Sequence, residues 1–168
     1  MDSKPITLST ERLLLVGVTV REALATINEL PEEHRQQISD AWFEGLSNAV
    51  EGEPWYPGFN ISNRLTGELI GQCGFKGEPE DGQVEIAYMI EELHREQGFA
   101  TEAAIAMSEF ALGNSKVASV VAHTLPNRNA STRVLEKSGF AFVGEHTAPE
   151  DGLVWRWART NDRIPPRQ

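Results

Sequence analysis

The sequence predicts a single mixed α/β domain in which about seven strands form a central sheet and about four helices flank it. Two observations carry this prediction. The 168 residues suit one domain with a sizeable core. The apolar patterns also follow the order strand, two helices, three strands, helix, strand, helix and two strands, which is neither a doubly wound alternation nor a β-sandwich. We assign residues 1–160 to the domain and residues 161–168 to a flexible tail.

After a first strand, the helical spacing of apolar residues predicts two helices in the amino-terminal part of the chain. The strand and the two helices span residues 11–16, 20–30 and 34–50. Pro31 has no backbone N–H to donate and ends the first helix. The segment GEPWYPG, residues 52–58, is rich in turn-forming residues, and we expect its aromatic side chains to be exposed.

Six strands and two further helices account for the rest of the domain. The strands span residues 59–64, 69–75, 84–90, 117–125, 140–146 and 153–159, and the helices span residues 100–112 and 130–138. Gly139 closes the last helix, and we expect Phe140 to pack back on Leu135 as in a Schellman motif.

The composition predicts a cytoplasmic chain that binds neither membranes nor nucleic acids. No apolar run approaches the roughly 20 residues of a membrane span, and the amino terminus lacks an apolar signal core. The formal net charge is −10, and no cluster of cations is present that could neutralise nucleic-acid phosphates. The single Cys73 cannot form a disulfide within the chain and suits a reducing compartment. The acidic balance favours either a cationic ligand, such as an amine, or solubility alone.

The stretch HREQGFATEA, residues 94–103, indicates an anion site at the start of a helix. The first turn of a helix leaves backbone N–H groups without partners, and the helix dipole adds positive potential there, which suits a phosphate. Gly98 lets the backbone approach a ligand closely, and the small Ala100 removes bulk. The stretch is neither a P-loop nor a dinucleotide-binding glycine pattern. Taken alone, the stretch favours an ordinary strand-to-helix turn over an anion site.

Three segments in order place this stretch in a family context. They are VEIAYMI, REQGFA and NRNASTRVLEKSGF. Together they resemble the GNAT superfamily of acetyl-CoA-dependent N-acetyltransferases, in the branch similar to the ribosomal-protein N-terminal (RimJ/RimL-like) enzymes. The opening TERLLL and the strand LIGQCGF are similar to that branch as well, and the resemblance is weakest over residues 17–60. It implies a GNAT fold, with a mostly antiparallel sheet whose fourth and fifth strands splay apart.

The resemblance also implies where acetyl-CoA is held. The candidate cofactor-binding residues lie at the end of one strand, in the loop after it and at the start of a later helix: Met89, Ile90, Glu91, Arg95, Gln97, Gly98, Phe99, Ala100, Thr101 and Asn129. The pyrophosphate would contact the backbone of the loop, and the pantetheine arm would enter the gap between the splayed strands. Arg95 is either a cationic contact or a solvated surface residue. Asn129 caps its helix in either case.

Glu85 is the candidate general base. Side chains alternate along the strand over residues 84–90, so Glu85, Ala87 and Met89 share one face, and Ala87 leaves room for a substrate beside the carboxylate. The resemblance supports this role, because some GNAT enzymes use a glutamate at this position. The alternative is a strand glutamate that pairs with a cation or with water.

The other catalytic assignments rest on the resemblance. It implies that a backbone N–H near Met89 or Ile90 stabilises the oxyanion. Leu135 stands where many members carry a tyrosine acid, so Ser131 is the substitute acid, although a thiol with a pKa of about 8.5 can also leave without one. The missing tyrosine leaves open a second function, a non-catalytic acyl-CoA-binding sensor or interaction domain.

The acceptor amine stays open between a protein N-terminus, another peptide and a small molecule. The family builds its acceptor groove in the amino-terminal segment, where four aromatic residues are candidates: Trp42, Phe43, Trp55 and Tyr56. The four histidines show no metal-ligand spacing, so we expect no metal. His123 is expected to be a hydrogen-bonded residue at a strand end, near the splay.

Three further residues are expected to be structural. Cys73 lies in an apolar strand and is expected to be a buried thiol rather than a nucleophile. Trp155 and Trp157 share one face of the last strand, and we expect them in the core or in a contact between two copies of the chain in a homodimer.

Overall fold

Eight strands form one sheet in the computed structural model, which describes residues 4–149 and 151–161. The strands are β1 (Thr7–Ser9), β2 (Leu13–Gly17), β3 (Phe59–Asn63), β4 (Leu69–Phe75), β5 (Gln83–Ile90), β6 (Ser119–Thr124), β7 (Ala141–Ala148) and β8 (Gly152–Thr160). Their order in the sheet is β1-β2-β3-β4-β5-β6-β8-β7, and each neighbouring pair is antiparallel except β5 and β6. The fold is therefore the mixed, mostly antiparallel α/β sheet that the sequence predicts. The expected tail over residues 161–168 lies outside the described residues except for Asn161.

Five helices accompany the sheet. They are α1 (Val20–Glu29), α2 (Glu32–Arg35), α3 (Asp40–Asn48), α4 (Phe99–Leu112) and α5 (Ala130–Lys137). The longest, α4, is buried along its length and contributes Ala103, Ala104 and Met107 to the main core, all with no exposed surface. Within the described residues no helix is long and apolar enough to cross a membrane.

The predicted helix over residues 34–50 is wrong as a single helix, which raises the helix count from four to five. The chain forms α2, leaves helical conformation, and restarts at Ser39, whose side chain accepts a hydrogen bond from the Trp42 N–H and caps α3. A serine that captures a backbone donor in this way favours a helix start over a helix interior. Ile38 still packs with Trp42 and Leu46 in a second apolar cluster, so the spacing predicted the buried face correctly.

Two other expectations need correction. The eighth strand is β1, whose three residues are too few to show a period of two, and which exists because it pairs with β2. The aromatic residues of the segment 52–58 are not all exposed. Trp55 is only 7% exposed and packs edge-on against Phe75, with ring centroids 5.1 Å apart, because the turn folds back over the core.

The carboxyl-terminal part follows the sequence prediction closely. Helix α5 ends in the Schellman motif, since Phe140 donates its N–H to the Leu135 carbonyl at 2.9 Å and Gly139 donates to Glu136 at 3.2 Å. Gly139 has a φ of 90°, a conformation that glycine adopts without steric cost. Trp157 is buried in the core, and its indole N–H donates to the Thr124 hydroxyl at 3.1 Å.

Strands β5 and β6 separate soon after they meet. Residues 83–85 pair in parallel with residues 119–121, and no further pair forms between the two strands within the described residues. Strand β5 nevertheless continues to Ile90 and β6 to Thr124. A wedge-shaped opening therefore lies between β5 and β6. These are the fourth and fifth of the seven strands that the sequence predicts, so the splay that the resemblance implies is confirmed.

Gly71 allows β4 to approach β5 beside this opening, and Gly71→Ala is expected to destabilise the fold. A Cβ at this position would lie 2.1 Å from the Met89 carbonyl oxygen and 3.0 Å from the Ile90 Cα, both of them backbone atoms. We expect a loss of roughly 1–3 kcal/mol of unfolding free energy, as for other overpacked sites. Urea denaturation measures it.

The matched control for this change is Gly113→Ala. Gly113 has a φ of −74°, and its added Cβ would meet its nearest neighbour at an ordinary 3.4 Å. This variant is expected to stay within about 0.5 kcal/mol of the parent. Equal urea midpoints for the two variants would show that the β4–β5 contact does not depend on a glycine.

Candidate active site

The amino terminus of α4 presents its backbone N–H groups without a side-chain cap. Gly98 is its N-cap residue, with a φ of 83°, and no side chain hydrogen-bonds there. The other helices of eight or more residues in the described chain are each capped by a side chain: Thr19 for α1, Ser39 for α3 and Asn129 for α5. The first turn of α4 therefore keeps its unpaired donors available for an anion.

The loop before α4 adds to this arrangement. Glu96 and Gly98 both have positive φ, at 64° and 83°, with Gln97 between them at negative φ. Alternation of right- and left-handed residues turns successive N–H groups toward one side, which creates a concavity suited to an anion. The positive φ of Glu96 leaves no mark in the sequence, because a glutamate seldom adopts it.

A network from the first hairpin holds the loop and α4 in place. Arg12 donates from its guanidinium to the Gln97 carbonyl at 2.9 Å and to the Glu102 carboxylate at 2.8 Å. Its guanidinium carbon also lies 4.4 Å from the centroid of the Phe99 ring. The Arg12 N–H and the Thr10 hydroxyl donate to the second oxygen of Glu102. The Gln97 carbonyl is thereby engaged by Arg12, and α4 is tied to the start of β2.

The Glu102 carboxylate depends on these donors for its charge state. Burial raises its pKa, but the hydrogen bonds from Thr10 and Arg12 and the charge of Arg12 outweigh this effect and lower the pKa overall. A carboxyl whose pKa is lowered in the folded state stabilises the fold above its unfolded pKa. That stabilisation is lost as the pH falls through the folded value.

Glu102→Gln is therefore expected to destabilise the protein at neutral pH and not in acid. Loss of charge-assisted hydrogen bonds predicts a decrease of roughly 1–3 kcal/mol in unfolding free energy at pH 7. The difference should shrink as the pH drops below about 4.5, the ordinary value, and should vanish below the lowered folded value, where the parent carboxyl is protonated as well.

Glu109→Gln on the same helix is the control. Glu109 is 64% exposed and makes one ion pair with Arg159 at 3.7 Å, so this change should cost less than about 1 kcal/mol. Urea denaturation at several pH values measures both variants. A penalty for Glu102→Gln that does not change with pH would contradict the role assigned to the carboxylate charge.

The open edge of β5 offers backbone groups to the wedge between β5 and β6. At the end of β5, the Glu91 N–H donates to the Ile70 carbonyl on the β4 side. Backbone groups of alternate residues point to the same edge of a strand. The N–H and C=O of Met89 therefore also face β4, whereas those of Tyr88 and Ile90 face the wedge. Of the two candidate N–H donors to the oxyanion, this geometry favours Ile90 over Met89.

Glu85 lies at the closed end of the wedge, where β5 and β6 still pair. Its side chain is 23% exposed, on the face opposite the buried Val84 and Ile86, as the alternation predicts. One carboxylate oxygen lies 2.9 Å from the Lys76 Nζ, and the other lies 3.2 Å from the His123 Nδ1. The structure therefore brings Glu85 into contact with a cation, as the structural alternative supposes, and also with an imidazole.

The remaining candidate residues surround the loop and the wedge. Arg95 donates from Nε to the Ile90 carbonyl at 2.9 Å, so it fixes the end of β5. Asn129 caps α5 by accepting from the Thr132 N–H at 3.0 Å, and its amide donates to the Asn127 side chain. Ser131 is exposed in the first turn of α5.

Two groups near the site are held protonated by burial. Burial raises the pKa of the Cys73 thiol to about 12 and that of the Tyr88 hydroxyl to about 12. A thiol in this state supplies almost no thiolate at neutral pH, which agrees with a structural role for Cys73. Tyr88 points to the face opposite Glu85. In the part of the chain that the structure describes, no group of three or more His, Cys, Asp or Glu residues could hold a metal.

The aromatic residues of the amino-terminal segment divide into two groups. Trp55 belongs to the core, so it does not line a groove. Trp42 and Tyr56 are half-buried against the cluster of α1 and α3, and Phe43 is 40% exposed. Gly45 in α3 lies against the Tyr56 ring, and a Cβ added at Gly45 would be 2.2 Å from the nearest ring carbon. The acceptor groove therefore stays a hypothesis for Trp42, Phe43 and Tyr56.

Comparison with known proteins agrees with this fold. A family model, the acetyltransferase (GNAT) domain, matches residues 12–141. The Bacillus subtilis protein named "uncharacterized N-acetyltransferase YjdG" is 35% identical over 74 residues, which make up 44% of this chain and 44% of that protein. The match thus spans less than half the length of this relative.

Two solved structures share the fold. RimL, a ribosomal L7/L12 alpha-N-protein acetyltransferase in complex with coenzyme A, has a TM-score of 0.68 at 16% identity, over 95% of this chain and 100% of that one. The aminoglycoside acetyltransferase AAC(6')-Ib, in complex with coenzyme A and kanamycin, has a TM-score of 0.61 at 17% identity, over 88% and 94% of the two chains. At these identities the likeness establishes the fold alone.

The splayed sheet and the uncapped helix give this mixed α/β domain an opening between two strands and a helix start with free N–H donors. The family match over residues 12–141 makes the assignment specific: this chain belongs to the GNAT acetyltransferase family. The resemblance inferred from the sequence motifs is thereby confirmed.

Reasoning from the sequence missed Arg12 and Lys76 at the site, and it placed His123 near the splay without its contact to Glu85. Arg12, Lys76 and His123 each contact a candidate residue. Arg12 lies 85 residues from Gln97 in the chain, so no local pattern could pair them. Lys76 follows β4 directly, and its cross-strand position beside Glu85 could be anticipated from the β4–β5 register alone.

Proposed function

We propose that this protein transfers the acetyl group of acetyl-CoA directly to a primary amine, without an acyl-enzyme. The observation that carries the proposal is the uncapped start of α4 at the mouth of the wedge between β5 and β6. In a member of this family, these two features suit the two ends of one elongated ligand. The anionic end would lie at the helix, and the thioester end would lie between the strands.

The residues present fit acetyl-CoA. The pyrophosphate would accept hydrogen bonds from the backbone N–H groups of residues 97–101, where Gly98 and Ala100 add little or no side-chain bulk. The pantetheine amides would pair with backbone groups at the open edge of β5, as an added strand pairs with a sheet edge. Asn129, at the facing end of β6, is the candidate contact from the opposite side.

The chemistry follows from the groups at the wedge. The amine nitrogen attacks the thioester carbonyl, the Ile90 N–H stabilises the oxyanion, and the tetrahedral intermediate collapses as the C–S bond breaks. The amine proton passes to the group of side chains that includes Glu85. The leaving thiolate is protonated by solvent or by Ser131, and because a thiol pKa is about 8.5 this assistance is modest.

The acceptor we propose is a protein N-terminus or a small primary amine. An α-amino group has a pKa of about 8 and is partly neutral at pH 7, whereas a lysine amine near 10.4 is almost entirely protonated. A single proton acceptor at the site therefore suffices for an α-amino group. The formal net charge of −10 would attract cationic acceptors to the protein.

We also propose that the protein acts in the cytoplasm and forms a homodimer. The unpaired Cys73 supports the first proposal. The second is supported by β7, which lies at the edge of the sheet and carries the exposed Phe142 and Val143. Sedimentation equilibrium tests the dimer, and a monomer at micromolar concentration would contradict it.

A thiol-release assay with an acceptor panel tests the proposed transfer. Purified protein is incubated with acetyl-CoA and, separately, serine- and alanine-initiated peptides, kanamycin, a polyamine and free amino acids, and free thiol is measured. We expect amine-dependent thiol release, and acetyl-CoA should raise the melting temperature. Thermal protection without thiol release would indicate a non-catalytic acyl-CoA-binding domain, and the absence of both would contradict the proposal.

A further inference from the structure

The contact between Glu85 and His123 has the geometry of a carboxylate–imidazole dyad. The Glu85 oxygen lies 3.2 Å from the His123 Nδ1. A carboxylate has no proton to give, so a proton shared at this contact belongs to Nδ1, and the neutral ring then has its lone pair on Nε2. Both oxygens of Glu85 are engaged, one by His123 and one by Lys76. Glu85 is therefore poorly placed to receive a substrate proton itself.

The free nitrogen of His123 is buried and unpaired. Within the described residues, the His123 Nε2 is the one buried side-chain nitrogen or oxygen that has no hydrogen-bond partner. Buried polar groups in proteins are almost always paired, and an exception calls for an explanation. A purely structural histidine at a strand end would be expected to pair both of its nitrogens.

His123 occupies the position where β5 and β6 part. The last residue of β6 that pairs with β5 is Val121, and His123 is the next residue of β6 on the same face. On β5 the next residue on the face of Glu85 is Ala87, whose side chain is a single methyl group. The imidazole thus stands at the closed end of the wedge, level with a residue whose side chain is only a methyl group.

Other charged groups surround this ring. Arg156 is the ladder partner of His123 on β8 and donates to the Gln83 side chain at 2.7 Å. The His146 ring on β7 stacks on His123, with centroids 5.5 Å apart. Lys76 contacts the Glu85 carboxylate, whereas Arg156 and His146 lie beside His123 on the neighbouring strands. That carboxylate is the group in contact with His123 that stabilises a positive charge on the ring.

We infer that the His123 Nε2 is the base of the acetyl transfer and that Glu85 is its positioning residue; this inference rests on the proposed function. As the bond forms between the amine nitrogen and the thioester carbon, the amine proton passes to Nε2, and the Glu85 carboxylate stabilises the resulting imidazolium. The C–S bond breaks with its electron pair on sulfur. The imidazolium then returns its proton to the thiolate or to solvent.

The first test needs no substrate. Nitrogen-15 spectra of the imidazole rings are recorded at a pH where the rings are neutral, and the His123 resonances are assigned by comparison with His123→Gln. The dyad requires a protonated Nδ1 and a bare Nε2 on His123, with a change in this preference in Glu85→Gln. A proton on Nε2 in the parent protein would overturn the inference, whatever the enzyme acetylates.

The second test measures catalysis with an acceptor from the panel. His123→Gln should lower kcat by about 10²- to 10⁴-fold, leave the dissociation constant of acetyl-CoA unchanged, and lose the fall in rate that the parent shows at low pH when the imidazole is protonated. His34→Gln, on the exposed α2, is the matched control and should behave as the parent. An unchanged low-pH limb in His123→Gln would overturn the inference. A parent protein that acetylates no amine would contradict the proposed function, and the spectra would then decide the dyad alone.

Discussion

Gly98→Ala is expected to weaken acetyl-CoA binding by about 10- to 100-fold, which corresponds to roughly 1.4–2.8 kcal/mol. Gly98 has a φ of 83°, which an alanine adopts only with strain. Its added Cβ would lie 3.2 Å from a guanidinium nitrogen of Arg12, the residue that holds the Gln97 carbonyl. Either the loop or Arg12 has to move, and the N–H groups proposed for the pyrophosphate then lose their common direction. Isothermal titration calorimetry measures the change.

Gly67→Ala is the control that separates backbone strain from loss of the anion site. Gly67 has a φ of 76° in the turn between β3 and β4, and nothing lies within 4 Å of the Cβ it would carry. Both variants should lose at least roughly 1–2 kcal/mol of stability, because both place an alanine at positive φ. Only Gly98→Ala should lose affinity for acetyl-CoA. Equal affinities for the two variants would show that the start of α4 does not bind the pyrophosphate.

The parts of the fold that sequence patterns predicted well are those whose structure is decided locally. Helix α4 and strand β5 have uninterrupted periods of their own, and α5 carries both its cap at Asn129 and its stop at Gly139. Strand β1 and the break before α3 depend on other parts of the chain or on a single side chain. In the case of α3, the same apolar face continues across the break, so the periodicity alone could not reveal that the backbone had left the helix.

The candidate site also combines features that are decided locally with features that depend on distant parts of the chain. The exposed face of Glu85 and the anion-binding loop before α4 follow from alternation along one strand and from one glycine. The partners that give these features their chemistry come from distant segments. Glu102 meets Arg12 from 90 residues away, and Glu85 meets His123 only because β5 and β6 are neighbours in the sheet. A sequence shows that a glutamate is exposed on a strand, but not that both of its oxygens are engaged.

Glu85→Gln is expected to lower kcat by about 10²- to 10⁴-fold while the dissociation constant of acetyl-CoA stays unchanged. Glutamine cannot stabilise a protonated imidazole. Its amide can also donate to the His123 Nδ1, which would move the ring proton to Nε2 and remove the lone pair that the reaction needs. Lys76, 2.9 Å from the carboxylate in the parent, would lose its counter-ion as well. Steady-state kinetics at saturating acetyl-CoA, together with calorimetry, measures both quantities.

The unchanged affinity is what makes this variant informative. Glu85 lies at the closed end of the wedge, whereas the groups proposed to bind acetyl-CoA lie along its open edge and at the start of α4, so a loss confined to kcat locates the defect in proton transfer. Glu29→Gln, an exposed glutamate at the end of α1, removes the same charge and should leave both constants unchanged. If Glu85→Gln retains the parent kcat, the carboxylate does not support proton transfer, and His123→Gln alone then decides whether the imidazole is the base.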